Sequence, residues 1–275
     1  MRRARTRSRW RPSPLLVASA GVHGGAAVSA LAQPTLWPWA LGAVLANHAV
    51  LTAAGLAPRS RLLGPNWTRL PAAGGAGGAG AARIALTLDD GPDPQITPRV
   101  LELLAQHGAR ATFFCIGERV AAHGALAREL VARGHSIENH SQRHLTHFSL
   151  LGPRALRAEI ERAQETIAAA TGEAPRFFRA PAGLRSPFLD PVLQRLGLQL
   201  ASWTRRGFDT VERRPERVFG ALARGLAAGD ILLLHDGHAA RTRDGAPVVL
   251  KVLPRLLAAL SAAGLTAVTL RDALS

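Results

Sequence analysis

The chain has 275 residues, 47% of them apolar, one cysteine, and a formal net charge of +15 from 34 Lys+Arg against 19 Asp+Glu. That length and apolar content support a full hydrophobic core in one or two domains and exclude disorder as the dominant state, while the lone Cys115 excludes an internal disulfide framework and a Cys-rich zinc module and is expected to pack in the core. The charge is unevenly placed: residues 1–80 carry nine arginines and no acid, whereas 81–275 hold 25 basic and 19 acidic residues, so a mildly basic globular domain with no nucleic-acid partner is expected.

Six arginines (Arg2, Arg3, Arg5, Arg7, Arg9, Arg11) precede a run from Pro12 to Pro58 that contains no Asp, Glu, Lys or Arg. As one helix this run would extend about 70 Å, more than twice a ~30 Å hydrocarbon core, so it is expected to fold back on itself. Pro34 and Pro38 break it, and Trp37 and Trp39 suit a membrane interface, giving spans near 14–32 and 36–57. Arginines flank both ends (Arg59, Arg61 and Arg69 after the second span) and none lies in the connecting loop, so both ends of the hairpin are expected on the cytoplasmic side of a bacterial-type inner membrane, touching anionic lipid. The alternative is a secretory signal with Ala30-Leu31-Ala32 as its cleavage site and an exported product, but Gly21, His23, Gly24 and Gly25 interrupt its apolar stretch.

Residues 71–82 read as a flexible Gly/Ala linker, dividing residues 1–70 from a catalytic domain at 83–275. In that domain β-rich runs (Ile84–Leu88, Ala111–Ile116, Ser136–Glu138, Arg176–Phe178, Gln199–Trp203, Ile231–Leu234, Thr266–Leu270) alternate with amphipathic stretches such as Val100–His107, Leu126–Arg133, Arg154–Ala170, Pro215–Ala228 and Val248–Ala263. Alternation of this kind implies parallel strands, and about seven units suit a distorted (β/α) barrel better than an open sheet.

In such folds chemistry gathers at the C-terminal ends of the strands, and five clusters fall there. Asp89 and Asp90 follow the first strand, held in a turn by Gly91-Pro92; adjacent carboxylates repel and call for a cation. His140 and His144, four apart after the third strand, have the spacing for a shared metal, and with Asp90 would leave an open position for water, the mark of a catalytic site. Arg179 ends the fourth strand before the proline-fixed loop Ala180-Pro181-Ala182-Gly183, which can aim a backbone N–H at a developing oxyanion. Trp203 ends the fifth strand, with Asp209 beyond it, and His235 and Asp236 end the sixth. Taken singly, each has an ordinary reading: a solvated Asp-Gly turn, a chance histidine pair, a buried histidine with a local hydrogen bond.

Taken in order, the five clusters resemble the polysaccharide deacetylase family, also called the NodB-homology domain or carbohydrate esterase family 4, over roughly residues 83–275. The resemblance implies a distorted (β/α) barrel with a divalent metal, usually zinc, that removes N- or O-acetyl groups from amino sugars or acetylated polysaccharides. It makes Asp89 the general base, Asp90, His140 and His144 the metal ligands, and His235 the general acid. It pairs Arg179 with Asp89 and Asp209 with His235, gives the oxyanion to the Ala182 N–H, and places Trp203 and Leu233 around the acyl methyl. Two positions depart from the family pattern: Ala182 stands where an aromatic residue is usual, removing one wall of the sugar groove, and Leu88 where Phe is frequent. The function expected is a membrane-tethered, metal-dependent deacylase of an N-acylated sugar, glycan or lipid-linked sugar. The alternative is a catalytically silent membrane-anchored carbohydrate-binding module, and the sequence sets no oligomeric state.

Overall fold

The computed structural model describes residues 10–71 and 82–274; the arginines before Trp10 and almost all of the expected Gly/Ala linker lie outside the described residues. Two apolar helices come first, α1 (Pro14–Ala32) and α2 (Trp37–Leu56), joined by one 3-10 turn at Pro34–Leu36. Ser13 caps α1 and Pro14 occupies its first turn, where a missing N–H costs nothing. The helices pack antiparallel as a hairpin, with Asn47 Nδ2 donating to Ser19 Oγ at 2.9 Å and the His23 and His48 Nε2 atoms 3.2 Å apart. Each is long and apolar enough to cross a bilayer.

The body of the molecule is an eight-stranded, wholly parallel sheet flanked by helices: β1 (Ala82–Asp89), β2 (Thr112–Cys115), β3 (Ser136–Asn139), β4 (Phe177–Phe178), β5 (Gln199–Leu200), β6 (Arg205–Arg206), β7 (Ile231–His235) and β8 (Leu265–Val268). All seven strands expected from the sequence are present, β4 and β5 as two-residue strands shorter than expected; the two-residue β6 is additional. The order β5-β4-β3-β2-β1-β7-β6, with β8 paired to the first half of β1, curls the sheet into a distorted, partly open barrel. The helices on its outside are α3 (Thr97–Gln106), α4 (Gly117–Ala122), α5 (Gly124–Ala132), α6 (Pro153–Thr171), α7 (Leu189–Leu196), α8 (Pro215–Ala223) and α9 (Val248–Ala262).

Strand parity places the site. Along β1, Ile84, Leu86 and Leu88 face the helices and join the larger core cluster, whereas Ala85 faces the barrel interior with Phe114, Phe177, Trp203, Ile231 and Leu233. Residues two apart share a face, so Thr87 and Asp89 continue the inner row of β1 and His235 that of β7; register sets Asp89 directly against His235. Cys115 is fully buried in the outer cluster, as its lone status suggested.

Residues 57–70 do not hang free of this body. Trp67 bridges to Ala201 beside β5, its N–H donating to Leu200 O at 2.9 Å, and Leu70 donates to Gly229 O at 2.8 Å, so the segment fills the opening between β5 and β7. Ser202 Oγ donates to Pro58 O at 2.6 Å, and the Arg185 N–H donates to Gly55 O at 3.1 Å, fixing the end of α2 to the body.

Candidate active site

The end of β1 turns sharply. Asp89 closes the strand, and Asp90 takes a left-handed backbone (φ 69°) that swings its carboxylate away from that of Asp89. Gly91 is needed next: a Cβ there would meet the Asp236 carboxylate at 2.3 Å. The two adjacent acids therefore face different partners.

Asp89 Oδ1 accepts a 2.6 Å hydrogen bond from Arg179 Nη1, while Oδ2 lies 3.8 Å from His140 Nε2. Arg179 is 1% exposed, and every face of its guanidinium is occupied: Thr87 Oγ1, Ala201 O and Ser202 O accept from it, and the Phe114 ring lies 4.0 Å away. Burial lowers the Arg179 pKa, and the charge of Asp89 opposes that. Such a clamp fixes the orientation of the Asp89 carboxylate.

After β3, Ser141 and His144 also adopt positive φ (65° and 53°), stabilised by Ser141 N–H donating to Asn139 Oδ1 and His144 N–H donating to Ser141 Oγ. This loop brings His140 and His144 to Asp90, with Asp90 Oδ1 3.2 Å from His140 Nε2 and 3.3 Å from His144 Nε2. The ligand atoms of the three residues lie within 4.8 Å of one another. Asp90 Oδ1 is buried and has no hydrogen-bond partner, an orphaned anionic oxygen between two imidazoles, and this donor set fits a divalent cation. His140 Nδ1 donates to Arg179 O at 2.8 Å, which turns the Nε2 lone pair toward the cluster. Burial pulls the His144 pKa down to about 4, keeping that imidazole neutral and able to ligate. Burial alone would raise the Asp90 pKa; the neighbouring imidazoles of His140, His238 and His144 override it and hold the carboxyl well below its usual range.

Across the cleft, His235 at the end of β7 donates from Nδ1 to Asp209 Oδ1 at 2.8 Å, and its backbone N–H donates to Asp209 Oδ2 at 2.8 Å. Burial would lower the His235 pKa, but the charge and hydrogen bond of Asp209 outweigh it and raise the pKa. Ala182 stands exposed at φ 54° in the 3-10 turn Pro181–Gly183, and Trp203 and Leu233 are buried in the inner cluster. Nine of the ten residues singled out from the sequence thus sit at the C-terminal ends of the strands or in the loops that leave them, and Leu233 lies mid-strand in β7.

Three residues join this neighbourhood that sequence reasoning did not assign. His238 (φ 56°) donates from Nδ1 to Asp90 Oδ2 at 3.1 Å and accepts at Nε2 from Arg119 Nη2 at 2.8 Å, and Arg119 also donates to Asp90 O at 2.9 Å. Asp236 is fully buried beneath the turn; burial pushes its pKa up to about 7, against the 2.5 Å hydrogen bond it accepts from Thr97 Oγ1. His238 follows His235 by three residues and could have been noticed by proximity; Arg119, in α4, carries no such signal. A cleft of about 1230 Å³, bordered by Phe208, Val211, Arg214 and Arg243, lies beside the Asp209 loop, not over the Asp90 cluster.

Comparison with known proteins agrees with this architecture. A polysaccharide deacetylase family model matches residues 76–201. The chain is 35% identical over 161 residues to a chitooligosaccharide deacetylase of Bradyrhizobium sp., covering 58% of this chain and 73% of the relative. It is 36% identical over 175 residues to a peptidoglycan-N-acetylglucosamine deacetylase of Bacillus cereus, covering 63% and 81% respectively. A family 4 carbohydrate esterase from Streptomyces lividans, solved in complex with acetate, superposes with a TM-score of 0.61 at 33% identity over 68% of this chain and 91% of that one. On fold, strand-end clusters and these relatives, the chain belongs to the polysaccharide deacetylase family, the NodB-homology hydrolases of carbohydrate esterase family 4.

Proposed function

We propose that the protein is a metal-dependent hydrolase that removes an N-acetyl or related N-acyl group from an amino sugar, carried on a glycan or on a lipid, at a bacterial-type inner membrane. The observation that carries this reading is the opposition of Asp89 and His235 on paired strands, each oriented by a buried partner, beside the Asp90, His140 and His144 cluster.

A divalent ion, zinc first among the candidates, would be held by Asp90, His140 and His144 and would supply Lewis-acid polarisation of the acyl carbonyl. Asp89, anchored through Oδ1 by Arg179, offers Oδ2 as the base that takes a proton from the attacking water. The exposed Ala182 turn supplies a backbone N–H for the developing oxyanion, and Trp203 with Leu233 bounds the space for the acyl methyl. His235, with Nδ1 committed to Asp209, presents Nε2 to the departing nitrogen and hands it the proton without which an amine leaves poorly. A carbohydrate-binding module needs neither a clamped base nor a buttressed acid, and both are present.

The test separates the two adjacent acids. Full-length protein should bind about one divalent ion per chain and lose it with His140→Ala. Asp89→Asn should keep the metal while turnover on an N-acetylglucosamine oligosaccharide falls roughly 10²–10⁴-fold, and Asp90→Asn should release the metal. Full turnover by stripped protein, or equal metal loss in both Asp variants, overturns the assignment.

A further inference from the structure

The last turns of α2 run alongside the catalytic body. A groove of about 320 Å³ separates them from two of its loops, residues 149–150 ahead of α6 and 184–188 after the Ala182 turn. On the helix side the lining reaches from His48 to Leu56, and on the body side its apolar members include Leu150, Leu184 and Phe188. These apolar side chains are open: Leu150 is 84%, Leu56 61% and Phe188 48% exposed. The lining is mixed, and of its polar residues only Arg185 carries a fixed charge. That side chain is 6% exposed, with Nη2 donating to Ser60 O at 2.6 Å and the backbone N–H donating to Gly55 O, inside the contact that fixes the helix to the body. Thr52, Ser149 and Ser186 bring uncharged hydroxyls, and His48 holds its Nε2 3.2 Å from that of His23 within the hairpin.

Depth in a bilayer follows from helix length. With 20 residues, α2 is about 30 Å long, the thickness of a hydrocarbon core. Its start is marked by Trp37 and Trp39, both exposed, a side chain that settles at a membrane interface. With these two at one interface, Leu56 stands at the other and the helix has no length to spare. The groove nevertheless extends from Leu56 back to His48, about 12 Å along the axis. Tilting α2 shortens that depth but leaves the same loops beside the same residues, and those loops turn Leu150 and Phe188 outward. We propose that the two loops are sunk in the bilayer beside α2, with Leu150 and Phe188 against the acyl chains, so that the catalytic body is seated in the lipid surface and not held above it on a tether. This rests on the reading of α1 and α2 as membrane spans. It also sets where the candidate site opens: Leu184 follows Ala182 by two residues, at most about 7 Å, which brings the Ala182 turn close to the headgroups.

Nitroxide labels on full-length protein, reconstituted in bilayers of phosphatidylethanolamine and phosphatidylglycerol, test this. Cys115 is fully buried, so an introduced cysteine takes the label. The test positions are Leu150→Cys and Phe188→Cys. Leu45→Cys, exposed near the middle of α2, is the lipid reference, and Ser261→Cys, exposed at the end of α9 just before β8 and so at the opposite end of the strands from the Ala182 turn, is the water reference. Each label is scored for collision with oxygen, which concentrates among acyl chains, against a nickel chelate, which stays in water. Labels at 45, 150 and 188 should favour oxygen and the label at 261 the chelate. If 45 favours oxygen while 150 and 188 favour the chelate, the proposal is overturned and the spanning hairpin stands. A label at 45 that favours the chelate overturns the spanning reading and the proposal with it. Labels at 150 and 188 shielded from both probes would show a protein cover, such as a second copy of this chain, in place of lipid, and would likewise overturn it.

Discussion

Asp89 and Asp90 are neighbours in sequence with opposite surroundings, and the roles proposed for them diverge because one residue ends a strand and the next reverses the backbone. Asp89 inherits the inner face of β1 and the Arg179 clamp, and Asp90 is turned by its positive φ toward two imidazoles. The same logic gives Asp209, in the proposed reaction, the part of a positioning residue for His235. Its charge raises the His235 pKa against the opposite pull of burial, so the protonated form persists to higher pH. In Asp209→Asn the amide keeps the shape and loses the charge, burial then dominates, and the His235 pKa falls. The alkaline limb of the kcat–pH profile should accordingly move down by about one unit or more. An alkaline limb that stays in place would assign the proton donor to another group.

Among the elements, the segment between α2 and β1 contributes more than its composition suggests. It places Trp67 beside β5 and Leu70 in the inner core and covers sheet edges that would otherwise present unpaired backbone groups. Pro58 also approaches Gly183, where an added Cβ would come within 2.8 Å of Pro58 and 2.6 Å of the Trp203 ring, so the Ala182 turn is backed by this segment. The division of the chain into separable units at 1–70 and 83–275 can therefore be tested by truncation. A fragment starting at residue 57 should keep the stability of the body, whereas one starting at 83 should lose about 3–5 kcal/mol, or roughly 10 °C in melting temperature. Equal melting of the two fragments would show that residues 57–70 merely lie on the surface.

For the whole molecule, the contacts from Gly55, Pro58 and Ser60 to Arg185 and Ser202 tie the body to the end of α2, so in the membrane-anchored arrangement proposed above the side that α2 reaches is the side on which the site works. Arginines before α1 and after α2, with none between, favour both ends inside. A C-terminal alkaline phosphatase fusion should be inactive and a C-terminal fluorescent-protein fusion bright. The opposite pair, or an exported product beginning at Gln33, would put the site outside and restore an extracytoplasmic polysaccharide as the leading substrate.

The hairpin, seven of the eight strands, and the residues that meet at the strand ends could be read from the chain because each leaves a local mark: an uncharged run, a two-residue or helical period, a pair of acids before Gly-Pro, histidines four apart. Long-range contacts leave no such mark. That Arg119 and His238 reach Asp90, that residues 57–70 fill the gap between β5 and β7, and that Leu150 and Phe188 line a groove beside α2 depend on segments separated by tens to more than a hundred residues. Only the tertiary structure decided these, because barrel closure and helix docking set those distances, while local sequence sets only which face of its own element each side chain occupies.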